Sequence, residues 1–251
     1  MSLMTFMGGD AMNIKAVRFD KDGTLMKFDP FWVSVTSGVI DDIIALAGRE
    51  INRDEFFDAL GISDCKAGAD GLLCAGTYEQ IGAAIHGVLS AHGADFDRER
   101  IIELTTDAYN RHARDGVVEP TCGDICRELL QIKNLGIRLL VVTTDNRMIT
   151  GIGLDKLGIT DLFDKIYTDD GEFPPKPNPD CIRKYSVESG IAPDNMIMVG
   201  DTMTDVCFAH NCGMAVIGIG ETEQKAERLR PYADEVIPDI SHVIEFIRRR
   251  G

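Results

Sequence analysis

Four short stretches of this 251-residue chain carry side chains able to do chemistry. Asp20-Lys21-Asp22-Gly23-Thr24 sets two carboxylates two residues apart, and Gly23 gives the backbone the freedom to turn both toward one small site. Val141-Val142-Thr143-Thr144-Asp145-Asn146 is a β-branched run ending in hydroxyls and an amide. Lys176 stands among Pro174, Pro175, Pro177 and Pro179, just ahead of a helical pattern. Val199-Gly200-Asp201-Thr202-Met203-Thr204-Asp205 is an apolar strand pattern that runs into two further acids. Each stretch also has a bland reading. Acids before glycine make ordinary turns, Asp201 or Thr202 suits a helix cap, and a lone loop lysine is usually solvated.

The elements that must position these residues alternate. Ile14–Phe19 reads as a buried strand despite Lys15 and Arg18. From Pro30 to about Arg114 the pattern is helical with no convincing strand: Phe31–Ala47, Arg53–Leu60, Thr77–His92 and Asp97–Arg114, with Thr77 and Asp97 as N-caps. Strands and helices then alternate. Strands are expected at Ile137–Thr143, Lys165–Thr168, Met196–Gly200, Met214–Ile219 and near Glu235–Ile237. Helices are expected at Gly123–Leu135, Arg147–Leu157, Pro179–Ser189, Thr204–Asn211 and Ser241–Arg249. This order implies an α/β fold, a doubly wound parallel sheet whose ligands bind beyond the carboxyl ends of the strands. The core domain is expected over 12–29 and 115–251, with 30–114 as an inserted α-helical cap domain.

Each of the four stretches falls at the carboxyl end of a different strand or in the loop after one, so they converge on one rim. In order and spacing they resemble the four motifs of the haloacid dehalogenase superfamily, and the helical block resembles its cap. The resemblance runs from Ile14 onward and is closest to phosphoglycolate phosphatase-like members. It implies a Rossmann-like core and a phosphatase of a small phosphorylated metabolite that works through an aspartyl phosphate. Asp20 would be the nucleophile, as a carboxylate ionised at neutral pH. Asp22 would protonate the leaving oxygen and then deprotonate water. Mg2+ would be held by Asp20, Asp201 and the main-chain oxygen of Asp22, with Asp205 holding a metal-bound water or orienting Lys176. Thr143, Lys176 and backbone amides of the first turn would bind the phosphoryl oxygens, with Gly23 shaping that turn and Thr144 a further substrate contact.

The formal charge of −15 argues against nucleic-acid or anionic-membrane partners, which are bound mainly by Lys and Arg. No run reaches the ~18 apolar residues of a membrane span, and residues 1–13 lack the pattern of a secretion signal. Seven cysteines without a zinc or dithiol spacing point to reduced thiols and a cytoplasmic protein. A monomer or homodimer is expected. Five scattered histidines form no ligand grouping. Two charges depart from the family pattern. Lys21 is expected to be solvated or salt-bridged, with contact to a substrate anion as the alternative, and Arg18, if buried, to be paired. The same motifs would serve a sugar phosphomutase or an inorganic pyrophosphatase, and a silent or signalling phosphate-binding protein is the alternative of another class. Dehalogenase chemistry is disfavoured because it needs no acid at Asp22. The insertion is expected to select the substrate by closing over the core, with Lys66 and Asp70 in the loop Ser63–Gly76 as candidate selectors.

Overall fold

The computed structural model describes residues 13–68 and 70–250. The expected start of the core at residue 12 and nearly all of the segment 1–13 lie outside the described residues, as does residue 251. The chain forms two compact units, one taking the chain up to Met26 and again from Pro120, the other Lys27–Glu119.

In chain order, β1 (Ala16–Phe19) opens the first unit. The second unit holds α1 (Phe28–Ala47), α2 (Arg53–Leu60), β2 (Ile62–Ser63), β3 (Lys66–Ala67), α3 (Leu72–Ala75), α4 (Tyr78–Ala91) and α5 (Arg98–His112). The first unit resumes with α6 (Ile125–Lys133), β4 (Arg138–Val142), α7 (Arg147–Lys156), β5 (Lys165–Tyr167), α8 (Asp180–Ser189) and β6 (Met196–Gly200). It ends with α9 (Met203–Cys212), β7 (Ala215–Ile219), α10 (Glu223–Leu229), β8 (Glu235–Ile237) and α11 (Val243–Arg250).

The six long-range strands form one parallel sheet in the order β5-β4-β1-β6-β7-β8. Register sets the site. Phe19 lies opposite both Val141 and Val199, so Asp20, Thr143 and Asp201 leave three adjacent strands at the same edge. Period-two alternation divides the core between the two faces of the sheet. Val17, Phe19, Leu139, Val141, Ile197 and Val199 meet α6 and α11 on one side. Ala16, Leu140, Val142, Met196 and Met198 meet α8 and α9 on the other.

Arg18 shares that second face and is fully buried. The expected partner for its charge is not there: no guanidinium nitrogen has a hydrogen-bond partner among the described residues, and the guanidinium lies 5.0 Å from the centre of the Tyr185 ring. Burial pushes its pKa down to about 10, against the weaker opposing influence of Tyr185, Cys212, Cys181 and Tyr167. The cation is therefore held by a ring face among neutral groups, which returns about 2 kcal/mol at most when desolvated. Arg18→Met, which keeps a long apolar stem, is expected to raise stability by about 1–2 kcal/mol, read as a higher urea midpoint with unchanged slope. A lower midpoint would mean that the guanidinium is better satisfied than these contacts suggest.

The second unit departs from the sequence reading at its middle. Ile62–Ser63 and Lys66–Ala67 pair as an antiparallel hairpin, and α3 follows it, so the block is not purely helical. Strands of two residues are too short for alternation to register. Thr77 and Asp97 do cap α4 and α5, accepting from Gln80 N at 3.2 Å and Arg100 N at 2.9 Å. By length and composition α1 could cross a membrane, although polar residues interrupt its apolar run. Its Phe31, Trp32, Val35, Val39, Ile40 and Ile43 are buried, and Thr36 Oγ1 lies 3.0 Å from the Tyr109 hydroxyl on α5, as in a core helix.

Candidate active site

The chain leaves β1 still paired to β6, with Asp20 N donating to Val199 O at 2.9 Å. It then turns back on itself, the Lys21 carbonyl accepting from Leu25 N at 2.9 Å and Met26 N at 3.1 Å. Gly23 stands at φ +73°, and a Cβ there would lie 2.1 Å from Asp201 Oδ2. The glycine is thus required twice, for its backbone conformation and for the close approach of Asp201. Gly200 does the same for Asp205, whose Cγ would lie 2.3 Å from an added Cβ.

Three chains of charge occupy this edge. In the first, Lys176 Nζ donates to Asp20 Oδ1 and to Asp205 Oδ1, each at 2.6 Å, with all three side chains nearly buried. The second oxygen of Asp205 accepts from Thr202 N at 3.1 Å and Thr202 Oγ1 at 2.7 Å, so the acid also caps α9. In the second, Lys225 Nζ lies 3.1 Å from Asp201 Oδ2 and 3.6 Å from Glu221. In the third, Lys21 Nζ lies 2.6 Å from Asp22 Oδ2 and 2.8 Å from Asp145 Oδ2. Lys21 is fully buried, so of the two expected environments the salt-bridged one holds and the solvated one does not.

Burial dominates the titration of these groups. It pushes Asp20 well above the usual carboxylate range, with Asp205 and Asp201 adding repulsion and Lys176 opposing. It raises Asp22 to about 7, opposed by Lys21, and Asp201 to about 6, opposed by Lys225. For Lys176 burial acts downward, but Asp20 and Asp205 outweigh it and raise the ammonium pKa. Raised carboxyls keep protons in the fold that the unfolded chain has released. Their stabilising contribution is complete below the unfolded value and is lost as pH rises through about 6 and 7. Metal-free protein is therefore expected to lose more stability between pH 5 and 8 than Asp201→Asn does, in urea titrations with chelator. Parallel losses in the two proteins would contradict the shift at Asp201.

Of the residues singled out from sequence, Asp20, Asp22, Gly23, Thr143, Lys176, Asp201 and Asp205 all belong to this unit and edge. Thr143 is buried and accepts from Asp145 N at 3.2 Å, which leaves its hydroxyl proton to donate. Thr144 is exposed on the same loop, and Asn146 Oδ1 caps α7 by accepting from Ile149 N at 2.9 Å. Sequence reasoning missed Asp145 and Lys225 as members. A buried cation at Lys21 demands a carboxylate, but nothing local points to Asp145, and Lys225 sits on α10, an element the periodicity did not give.

One oxygen each from Asp20, Asp201 and Asp205 falls within 4.8 Å of the others, the only such group of potential metal ligands among the described residues. The second Asp201 oxygen is buried with no hydrogen-bond partner among the described residues. Hard carboxylate donors and an unspent buried oxygen fit a small divalent cation such as magnesium.

A model of the family described as haloacid dehalogenase-like hydrolase matches residues 77–219, which include Thr143, Lys176, Asp201 and Asp205 and exclude Asp20 and Asp22. A phosphoglycolate phosphatase from Neisseria gonorrhoeae is 29% identical over 212 residues, 82% of this chain and 80% of that protein. The pyrophosphatase PpaX of Bacillus velezensis is 31% identical over 140 residues, 54% of this chain and 64% of that protein, so this match spans less than two thirds of that relative's length. The crystal structure of a predicted phosphoglycolate phosphatase from Haemophilus somnus superposes with a TM-score of 0.69 over 93% of this chain and 98% of that one. At 18% identity the last likeness is one of fold.

Proposed function

Because the chain belongs to the haloacid dehalogenase-like hydrolase family, we propose that it is a magnesium-dependent phosphatase that hydrolyses a small phosphorylated metabolite, with phosphoglycolate-like monoesters as the leading class. The observation that carries this reading is the buried Asp20 carboxylate, held by Lys176 at 2.6 Å and grouped with Asp201 and Asp205. A nucleophile fixed among a cation and metal-binding acids suits a phosphoryl group and little else.

Asp20 attacks phosphorus as the bond to the leaving oxygen breaks, and Asp22 gives that oxygen its proton. Water then attacks the aspartyl phosphate while Asp22 takes the water's proton, which frees phosphate and restores both carboxyls. A carboxyl titrating near 7 is suited to both roles. Lys176 neutralises the non-bridging oxygens, and the Thr143 hydroxyl and the turn amides donate to them. Asp205 keeps Lys176 in place. Magnesium held by Asp20, Asp201 and the Asp22 main-chain oxygen would supply positive charge to the phosphoryl oxygens and favour the ionised form of Asp20. Thr144 and Gly23 line the phosphoryl site, the second through its backbone.

A second reading, inorganic pyrophosphate as substrate, draws on the likeness to PpaX. The free thiols suit a reducing cytoplasm, and the chain is taken to work as a monomer or homodimer. Phosphate release over a panel of phosphoglycolate, sugar phosphates and pyrophosphate, with magnesium or chelator, tests the proposal. Release confined to the magnesium arm supports it, and the preferred compound decides between the two readings. No release from any compound would sink both.

A further inference from the structure

The Lys21 side chain has been placed, but the roles above give it no work. It is fully buried beside the nucleophile, and its surroundings are fitted to it. Its carbonyl closes the turn by accepting from Leu25 and Met26. Its ammonium reaches Asp22 Oδ2 at 2.6 Å and Asp145 Oδ2 at 2.8 Å, with Met26 Sδ at 3.9 Å. Gly153 on α7 leaves room for this group, since a Cβ there would come within 2.9 Å of Met26 Sδ and 3.8 Å of Lys21 Cδ.

Asp145 is itself fixed. Its amide donates to Thr143 Oγ1 at 3.2 Å, and its carbonyl accepts from Asp169 N at 2.8 Å. The bridge therefore runs from the loop after β4, through one ammonium, to the acid of the first turn. Asp22 has two oxygens in different states. Oδ2 is anchored by Lys21, while Oδ1 is buried and has no hydrogen-bond partner among the described residues.

We infer that Lys21, anchored by Asp145, is a positioning residue that pins Asp22 Oδ2 and so presents Oδ1 as the oxygen that exchanges the proton in both halves of the reaction. The inference rests on the proposed phosphatase reading, in which Asp22 is the acid and base. Rotation about the last bond of an aspartate is soft, so a free Asp22 would sample both oxygens and many tilts. One short charge-assisted bond removes that freedom. Loss of the ammonium would leave two largely buried carboxylates, formerly sharing one cation, to repel each other, and Asp22 would move off the reacting line. In the first half the Oδ1 proton passes to the leaving oxygen as its bond to phosphorus breaks. In the second, Oδ1 takes a proton from water as the water oxygen bonds to phosphorus and the Asp20–phosphorus bond breaks.

The two halves can be told apart by leaving group. Nitrophenolate departs without a proton, so a misplaced Asp22 slows only the release of phosphate from Asp20, whereas an alkyl phosphate needs the proton in the first half as well. Lys21→Met and Asp145→Asn, in the full chain with magnesium, are expected to give a rapid burst of about one nitrophenolate per chain from p-nitrophenyl phosphate. A steady rate roughly 10–100-fold below wild type should follow, with a larger loss on a simple alkyl phosphate. A role confined to stability would scale burst and steady rate together. That outcome, or a Lys21→Met variant with the wild-type rate on both esters, overturns the inference while leaving the phosphatase reading intact. The near-isosteric Asp145→Asn carries the same test if Lys21→Met does not fold. A wild type that hydrolyses neither ester overturns the phosphatase reading and this inference with it.

Discussion

Asp20→Asn is expected to lose roughly 10⁴-fold or more of the turnover rate while folding at least as well as the wild type. An amide is nearly isosteric with the carboxylate but does not attack phosphorus, so no aspartyl phosphate forms. The stability expectation has a separate cause. Burial, Asp205 and Asp201 all disfavour the charge on Asp20, and the amide removes that strain while still accepting from Lys176 at the same position. Thermal melting and phosphate release on one preparation check both halves. A folded variant with appreciable turnover would show that another group takes the phosphoryl.

The second large effect is expected at Lys176. Lys176→Ala should lower the rate by roughly 10²–10³-fold, since it removes the one full positive charge that the described residues place on Asp20. Thr143→Ala should cost less, because a neutral hydroxyl meets the same charge more weakly. Lys176→Ala should also destabilise the fold by about 3–5 kcal/mol, as Asp20 and Asp205 are left buried without their shared cation. Excess magnesium should recover part of the stability and little of the rate. If Thr143→Ala proved the more damaging, the phosphoryl oxygens would be held mainly by neutral donors.

The sheet and most of the site were legible because each apolar run stops at a chemical residue. Phe19 yields to Asp20 and Gly200 to Asp201, while β4 ends just before Thr143, and a parallel sheet collects such stops on one edge. What could not be read depends on partners distant in sequence. Lys21 left two environments open because its second carboxylate, Asp145, lies beyond the whole inserted unit. Lys225 escaped because α10 is short and buries only Ala226 and Leu229, too few for a helical period to register. Arg18 defeated the rule that a buried charge finds a counterion, since the available partner was the face of Tyr185. The hairpin of β2 and β3 has two residues per strand, below the length at which alternation has meaning.

The roles of Asp20 and Asp22 meet in one species, an acyl phosphate on residue 20. It is best caught in Asp22→Asn, where water is no longer activated and the intermediate should persist. Borohydride reduces an acyl phosphate to the alcohol, so protein incubated with magnesium and p-nitrophenyl phosphate, quenched with borohydride and digested, should yield homoserine at position 20 by peptide mass spectrometry. Homoserine at another position, or none while the wild type releases phosphate, would contradict Asp20 as the nucleophile.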